Sequence, residues 1–190
     1  SLNDTIDIMK HSVKNGFKNF LIMNVAYYKN EDNGVYNFYK NIAQAVPESR
    51  IILYNFSKLS GYEFTAEVTK RLIKDFPKNI IGVKDATNDL FRPLLTRKKM
   101  NDDFCYLSGE DGTALAYLSQ GGHGCISVTA NVAPKLCSDM QLAWREKDIK
   151  KAQEINLKLA KLHSALFLES SPGPVKYAAS LLGLCSSETR

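Results

Sequence analysis

Five short runs rich in β-branched and aromatic residues recur along the chain: Phe20 to Val25, Arg50 to Phe56, Asn79 to Ala86, Phe104 to Gly109 and Gly124 to Ala130. Between them lie stretches whose apolar residues follow helical spacing. Strands that alternate with helices build parallel βα units. The runs are apolar on both faces, as in FLIMNV, RIILYNF and IIGVK, which suits strands covered by helices outside and packed side chains inside. Punctuation bounds the helices. Thr5 to Asn15 ends at Gly16, Gly34 to Val46 stops before Pro47, Thr65 to Asp75 stops before Pro77, and Thr113 to Gln120 ends at Gly121-Gly122. After the fifth run, Pro134 opens one charged amphipathic stretch reaching to Phe167, and a last helix, Pro174 to Gly183, follows the Ser171-Pro172-Gly173-Pro174 break.

This alternation predicts an α/β chain forming a (β/α)8 TIM barrel that is incomplete, with about five of eight strands present, since a closed barrel takes about 250 residues. Residues 1–133 are assigned to the partial barrel, as βα units 4 to 8 beginning in a helix. Residues 134–190 are assigned to the last barrel helix and a C-terminal helical segment. The chain opens in a helix that Ser1 to Asp4 can cap and has no initiator methionine, so about three βα units are expected upstream. A complete doubly wound sheet of five strands is the competing architecture.

Composition narrows the function classes. With 44% apolar and 24% charged residues the chain has the make-up of a globular domain. No apolar run approaches the ~20 residues of a membrane span, and no signal segment opens the sequence, so a cytoplasmic protein without membrane partners is expected. The formal charge of +5 is spread among acids along helical stretches, which argues against a nucleic-acid partner. The largest basic run, Arg97 to Lys99, reads as a solvated helix end. Cys105, Cys125, Cys137 and Cys185 lack CxxC spacing and are expected to be buried thiols of a reducing compartment. His11, His123 and His163 have no carboxylate or cysteine at metal-ligand spacing and are not read as ligands. Gly121-Gly122-His123-Gly124 leads into a strand without a Lys-Ser/Thr ending, so a phosphate cradle is not assigned.

Two residues carry chemistry. Lys84 closes the run IIGVK and Tyr54 closes RIILY one βα unit earlier, so in a parallel barrel both emerge on the C-terminal face where catalytic groups sit. A lysine ending an apolar strand is costly unless used or paired. Its amine attacks a carbonyl only when uncharged, a form that shelter from water favours, and a neighbouring phenol can relay protons. The alternatives are an ion pair of Lys84 with Asp85 or another nearby acid, and a core or rim role for Tyr54.

The stretches YYKNEDNGVYNFYKNIAQAV, IILYN, GVKDATNDLFR, LSGEDGTALAYLSQGGHGCISVTANVAP and SPGPVKYAASLLGL resemble the dihydrodipicolinate synthase and N-acetylneuraminate lyase superfamily over nearly the whole chain, the second half being most similar to the dihydrodipicolinate synthases. The resemblance implies that Lys84 is the Schiff-base lysine and Tyr54 the proton-relay tyrosine. It implies that Tyr28 reaches into a neighbouring subunit's site, that the backbone of Ile126 faces the bound 2-oxo acid, and that Gly109 and Asp111 line the same mouth. From the residues alone, Ile126 and Gly109 are simply strand-end positions. The implied partners are pyruvate and an aldehyde, within a homo-oligomer, dimeric or tetrameric, and no cofactor beyond the covalent imine is implied.

Two departures bear on the reaction. Where synthases carry an arginine for the carboxylate of aspartate semialdehyde, this chain has Leu59, in Asn55-Phe56-Ser57-Lys58-Leu59-Ser60-Gly61. An apolar side chain makes no bidentate carboxylate contact, and Leu-Ser-Gly resembles the sialic acid lyase branch; Lys58 is the alternative source of a point charge there. The family's Gly-Thr-Thr-Gly-Glu segment, which binds the 2-oxo acid carboxylate and completes the relay, is also not among these residues. The expectation is a class I pyruvate-dependent synthase joining pyruvate to aspartate semialdehyde. N-acetylneuraminate lyase or a 2-keto-3-deoxy sugar-acid aldolase is the alternative within the class, and a non-catalytic ligand-sensing relative the alternative outside it.

Overall fold

Apolar strand runs bounded by turn residues alternate with helices along the first half of the chain. In the computed structural model, which describes residues 1–97, 100 and 103–189, the first compact unit takes in Ser1–Leu107 and Gly121–His123. It contains helix α1 (Leu2–Lys14), strand β1 (Asn19–Met23), α2 (Asp32–Ala45), β2 (Arg50–Asn55), a single turn α3 (Ser57–Ser60), α4 (Ala66–Asp75), β3 (Ile80–Asp85), α5 (Arg92–Arg97) and most of β4 (Cys105–Ser108). Caps explain the starts. Ser1 and Asp4 form a capping box on α1, and the Thr65 hydroxyl accepts the Val68 N–H at 3.2 Å at the head of α4. Of the basic run Arg97 to Lys99, Arg97 closes α5, while Lys98 and Lys99 lie outside the described residues.

The strands β1, β2 and β3 pair in parallel, with Met23 beside Tyr54 and Tyr54 beside Lys84. Alternation along each strand sends Ile22, Ile51 and Leu53 into a core shared with Val35, Tyr39, Ile42 and Leu72. Tyr39 enters that core without an orphaned hydroxyl, because it donates to the Ile22 carbonyl at 2.8 Å. Leu21, Met23, Ile52, Tyr54 and Lys84 lie on the opposite face. Between β3 and β4 the backbones come close: a Cβ at Gly82 would stand 2.6 Å from the Cys105 carbonyl oxygen.

The second unit takes in Ser108–Gln120 and residues from 124 on. It holds α6 (Ala114–Ser119), β5 (Gly124–Cys125), a 3-10 turn (Thr129–Asn131), α7 (Pro134–Arg145), α8 (Ile149–Ala165) and α9 (Gly173–Leu181). Ala114, Met140, Ile155 and Leu159 form its buried cluster.

Three expectations are corrected. The fifth strand stops at Cys125 instead of reaching Ala130, because the N–H groups of Val128 and Thr129 go to the Asp111 carboxylate rather than to a ladder. The stretch from Pro134 to Phe167 is two helices, broken where Lys147 turns left-handed at φ 65° and Asp148 caps α8 by accepting the Lys151 N–H at 3.1 Å. The thiols are less sheltered than expected: Cys105, Cys125 and Cys137 are half-buried and Cys185 is exposed, the last because it follows α9, a helix with no buried residue.

The strand order β1-β2-β3-β4-β5 follows the chain. A doubly wound sheet reverses its winding at a switch point and so breaks sequential order, which removes that alternative. Successive neighbours in one direction are the order of a barrel wall. Among the described residues no helix is long and apolar enough to cross a membrane.

Candidate active site

Strands β2 and β3 each end in a pair of residues with opposite orientations. Tyr54 and Lys84 are register partners, and so are the residues that follow them, Asn55 and Asp85. Because side chains alternate, Tyr54 and Lys84 share one face of the sheet and Asn55 and Asp85 the other. The Lys84 side-chain nitrogen lies 4.2 Å from the centre of the Tyr54 ring, and Lys84 is only 9% exposed.

The Asp85 alternative fails on this geometry. Asp85 gives one oxygen to Arg92 Nε at 3.0 Å and the other to the N–H and hydroxyl of Thr87, at 3.0 and 2.7 Å. Among the described residues Lys84 forms no ion pair. A lysine so sheltered is ordinarily paired, and here its nitrogen lies against an aromatic face rather than beside an acid. Phe56 extends the platform, its ring stacked on Tyr54 with centres 5.8 Å apart. Tyr54 is thus held as a surface under the amine, and its hydroxyl has no hydrogen-bond partner among the described residues. The arrangement offers a sheltered amine with no competing carboxylate and an unengaged phenol beside it.

Leu59 lies on α3 and is 60% exposed; the one-turn helix ends at Gly61, left-handed at φ 65°, so the loop after Tyr54 is folded rather than extended. Tyr28 and Tyr27 project from the segment after β1 with rings edge-to-face at 5.2 Å. Their loop is pinned by Asn30, whose amide donates to the carbonyls of Val25 at 2.7 Å, Tyr28 at 3.0 Å and Ser60 at 3.2 Å.

In the second unit, Gly109 follows the end of β4 and is spanned by Ser108, whose hydroxyl donates to the Glu110 carbonyl and accepts its N–H. Ile126 gives its N–H to the Ser108 carbonyl at 2.9 Å, so only its carbonyl is left to meet a ligand. Asp111 is buried and turned inward: it accepts from the Ser127 hydroxyl and from the N–H groups of Val128 and Thr129, at 2.8 and 3.1 Å. Its place is beneath the Ile126 turn, holding it. His163 is buried with Nδ1 at 2.7 Å from the Thr129 hydroxyl, while His11 and His123 are exposed. Among the described residues no three His, Cys, Asp or Glu side chains gather as a metal site would require. Arg92 and Phe56 were not singled out from sequence; Arg92 carries a signal only in retrospect, as a cation seven positions after a strand-end acid.

The model of the dihydrodipicolinate synthetase family matches residues 1–190. A 4-hydroxy-tetrahydrodipicolinate synthase from Rhodospirillum centenum is 48% identical over 190 residues, covering 100% of this chain and 64% of that protein. Among solved structures, dihydrodipicolinate synthase from Aquifex aeolicus superposes with a TM-score of 0.96 at 30% identity, covering 100% of this chain and 64% of the other. The chloride-inhibited dihydrodipicolinate synthase from Acinetobacter baumannii complexed with pyruvate gives a TM-score of 0.93 at 37% identity, with 100% and 64% covered. The chain therefore spans about 64% of the length of the relatives it matches, and its sequentially ordered strands are part of a (β/α)8 barrel. Matched from its first residue to its last, with a sheltered lysine and a tyrosine paired across neighbouring barrel strands, the chain belongs to the dihydrodipicolinate synthetase family.

Proposed function

We propose that this chain carries the imine-forming part of a class I pyruvate-dependent enzyme, and that the reaction is that of a 4-hydroxy-tetrahydrodipicolinate synthase, joining pyruvate to aspartate semialdehyde. One observation carries the reading: Lys84 is buried at a strand end with no acid partner among the described residues, its nitrogen against the ring of Tyr54. In the reaction the amine lone pair adds to the ketone carbon of pyruvate, and the oxygen leaves as water once protonated, giving an imine. Loss of a methyl proton gives the enamine, whose carbon adds to the aldehyde. Hydrolysis or transimination then frees the lysine. Tyr54 serves the proton transfers, and the covalent imine is the electron sink, so no separate cofactor enters. The names of the relatives and the pyruvate in the Acinetobacter baumannii complex support this substrate class.

Leu59 favours a second reading within the class. An exposed leucine on α3 supplies no charge for a carboxylate at this loop, which fits a sugar-acid lyase or aldolase better than a synthase. In either case Tyr28 is assigned to contact with a second copy in a cytoplasmic homo-oligomer, and sedimentation of the Tyr28→Ala variant, expected to weaken self-association, checks that part.

Trapping tests the central claim. Pyruvate with borohydride should convert the imine to a secondary amine, adding mass to the peptide containing Lys84 and to no other, and Lys84→Arg should abolish the product. Absence of the adduct in the unaltered chain would mean a non-catalytic relative. Parallel assays with aspartate semialdehyde and with 2-keto-3-deoxy sugar acids then decide between synthase and aldolase.

A further inference from the structure

Behind Tyr54 and Lys84, on the helix side of the sheet, two buried polar residues occupy the next positions. Asn55 is 0% and Asp85 7% exposed, and one guanidinium joins them. Arg92 donates from Nε to Asp85 at 3.0 Å, from one terminal nitrogen to Glu63, and from the other to the Phe64 carbonyl at 2.7 Å. Phe64 in turn gives its N–H to the Asn55 side-chain oxygen at 3.1 Å, and Asn55 accepts the Ala86 N–H on its own carbonyl at 2.9 Å. The path Asn55, Phe64, Arg92, Asp85, Ala86 and back to Asn55 is a closed ring of contacts around the ends of β2 and β3.

The segment between β3 and α5 is folded to deliver Arg92 to this ring. Asp85 holds Thr87; the Thr87 hydroxyl accepts the Asp89 N–H at 3.3 Å, and Asp89 accepts the Phe91 N–H at 2.8 Å. Asn88 takes the left-handed conformation at φ 66°, which asparagine tolerates better than most residues. A guanidinium with three acceptors in different directions is spatially over-determined, a task that its fixed fork performs and a flexible ammonium does not. What it fixes is the backbone that aims the side chains of the two preceding residues.

We propose that Arg92 is a positioning residue for imine formation: by tying Asp85 and the Phe64 carbonyl together it locks the ends of β2 and β3, so that the Lys84 amine stays over the Tyr54 ring. This rests on the reading of Lys84 as the imine-forming group. Reaction at a carbonyl depends steeply on the approach of the nucleophile, and a misplacement of about 1 Å can cost on the order of a hundredfold.

The test uses Arg92→Met and Arg92→Lys in the full chain, with two readouts. The first is the saturating rate of pyruvate trapping by cyanoborohydride, expected to fall between about tenfold and a hundredfold in Arg92→Met and less in Arg92→Lys. The second needs no substrate: the ε-methylene resonance of Lys84, assigned by its disappearance in Lys84→Arg, should be displaced by the Tyr54 ring current in the unaltered chain. In Arg92→Met it should move toward its position in Tyr54→Leu while circular dichroism reports a folded chain. A folded Arg92→Met with resonance and trapping rate both unchanged overturns the proposal and leaves Arg92 a purely structural residue. Should Arg92→Met not fold, Arg92→Lys is judged by the same two measurements. If the unaltered chain traps no pyruvate, the reading of Lys84 fails, and the resonance still decides whether Arg92 holds the pair.

Discussion

A carboxylate as sheltered as Asp111 is costly to bury unless donors answer it, and all three donors seen here come from one short stretch, Ser127 to Thr129. Removing it in Asp111→Ala orphans two backbone N–H groups, each worth about 1–3 kcal/mol when buried and unsatisfied. Urea unfolding should register a loss of about 2–4 kcal/mol for Asp111→Ala, and a smaller one for Asp111→Asn, which keeps one acceptor. A loss below that of an ordinary surface substitution would place the carboxylate outside the fold's support and return it to the ligand. This residue marks how far single positions could be read from sequence. Lys84 and Tyr54 stood out because a lysine at the end of an apolar strand is chemically conspicuous, and parallel strands bring equivalent ends together. Asp111 was legible as a loop residue but not as an inward-facing one, since direction depends on Ser127 to Thr129 arriving 16 to 18 positions later. Arg92 was illegible as a clamp for the same reason: Glu63 and Phe64 lie 29 and 28 positions before it, and no local pattern announces them.

Elements were legible wherever the chain carries its own stop signals. Helices expected to end at Gly16, before Pro47 and before Pro77 end within two residues of those marks, at Lys14, Ala45 and Asp75. Failures came where a distant group overrides local propensity. The β-branched run after Cys125 would extend a strand on propensity alone, yet the Asp111 carboxylate takes its N–H groups; the α7–α8 break rests on Lys147, a residue without turn preference. Glycines separate the two kinds of constraint. At Gly82 the approach of β4 leaves no room: a Cβ would sit 2.6 Å from the Cys105 carbonyl oxygen and 2.9 Å from its Cβ. Gly82→Ala should therefore destabilise by about 1–3 kcal/mol through forced strand separation. In α2, a Cβ at Gly34 meets nothing within 4 Å, and Gly34→Ala should stabilise by about 0.4–1 kcal/mol by narrowing the unfolded ensemble. Thermal unfolding of the two variants checks both signs, and a neutral Gly82→Ala would show that the strands separate freely.

At the scale of the whole molecule, the sheltered phenols of the first unit set an alkaline limit. Burial pushes the Tyr39 hydroxyl well above the usual range for tyrosine, and burial together with its hydrogen bond to Asp32 raises that of Tyr62. Burial lifts Tyr106 to about 12. An unfolded tyrosine releases its proton near pH 10, whereas these hold theirs in the folded chain. Folding is thus linked to proton retention: the contribution is complete below about pH 10 and is lost as pH rises through the folded values. Each phenol can lower stability by at most about 1.4 kcal/mol per pH unit in that window. The expected outcome is cooperative unfolding between about pH 10 and 12, with phenolate absorbance and loss of circular dichroism rising together. Tyr39→Phe separates the two roles of the buried hydroxyl. At neutral pH it forfeits the bond to the Ile22 carbonyl, 2.8 Å long and worth about 1 kcal/mol, so stability drops there. Above pH 10 it carries one proton fewer to lose, so stability should fall less steeply with pH than in the unaltered chain. If instead the nine tyrosines titrate together near pH 10 while the dichroism persists, the phenols are open to water and the core around β1, α2 and β2 is looser than its packing implies.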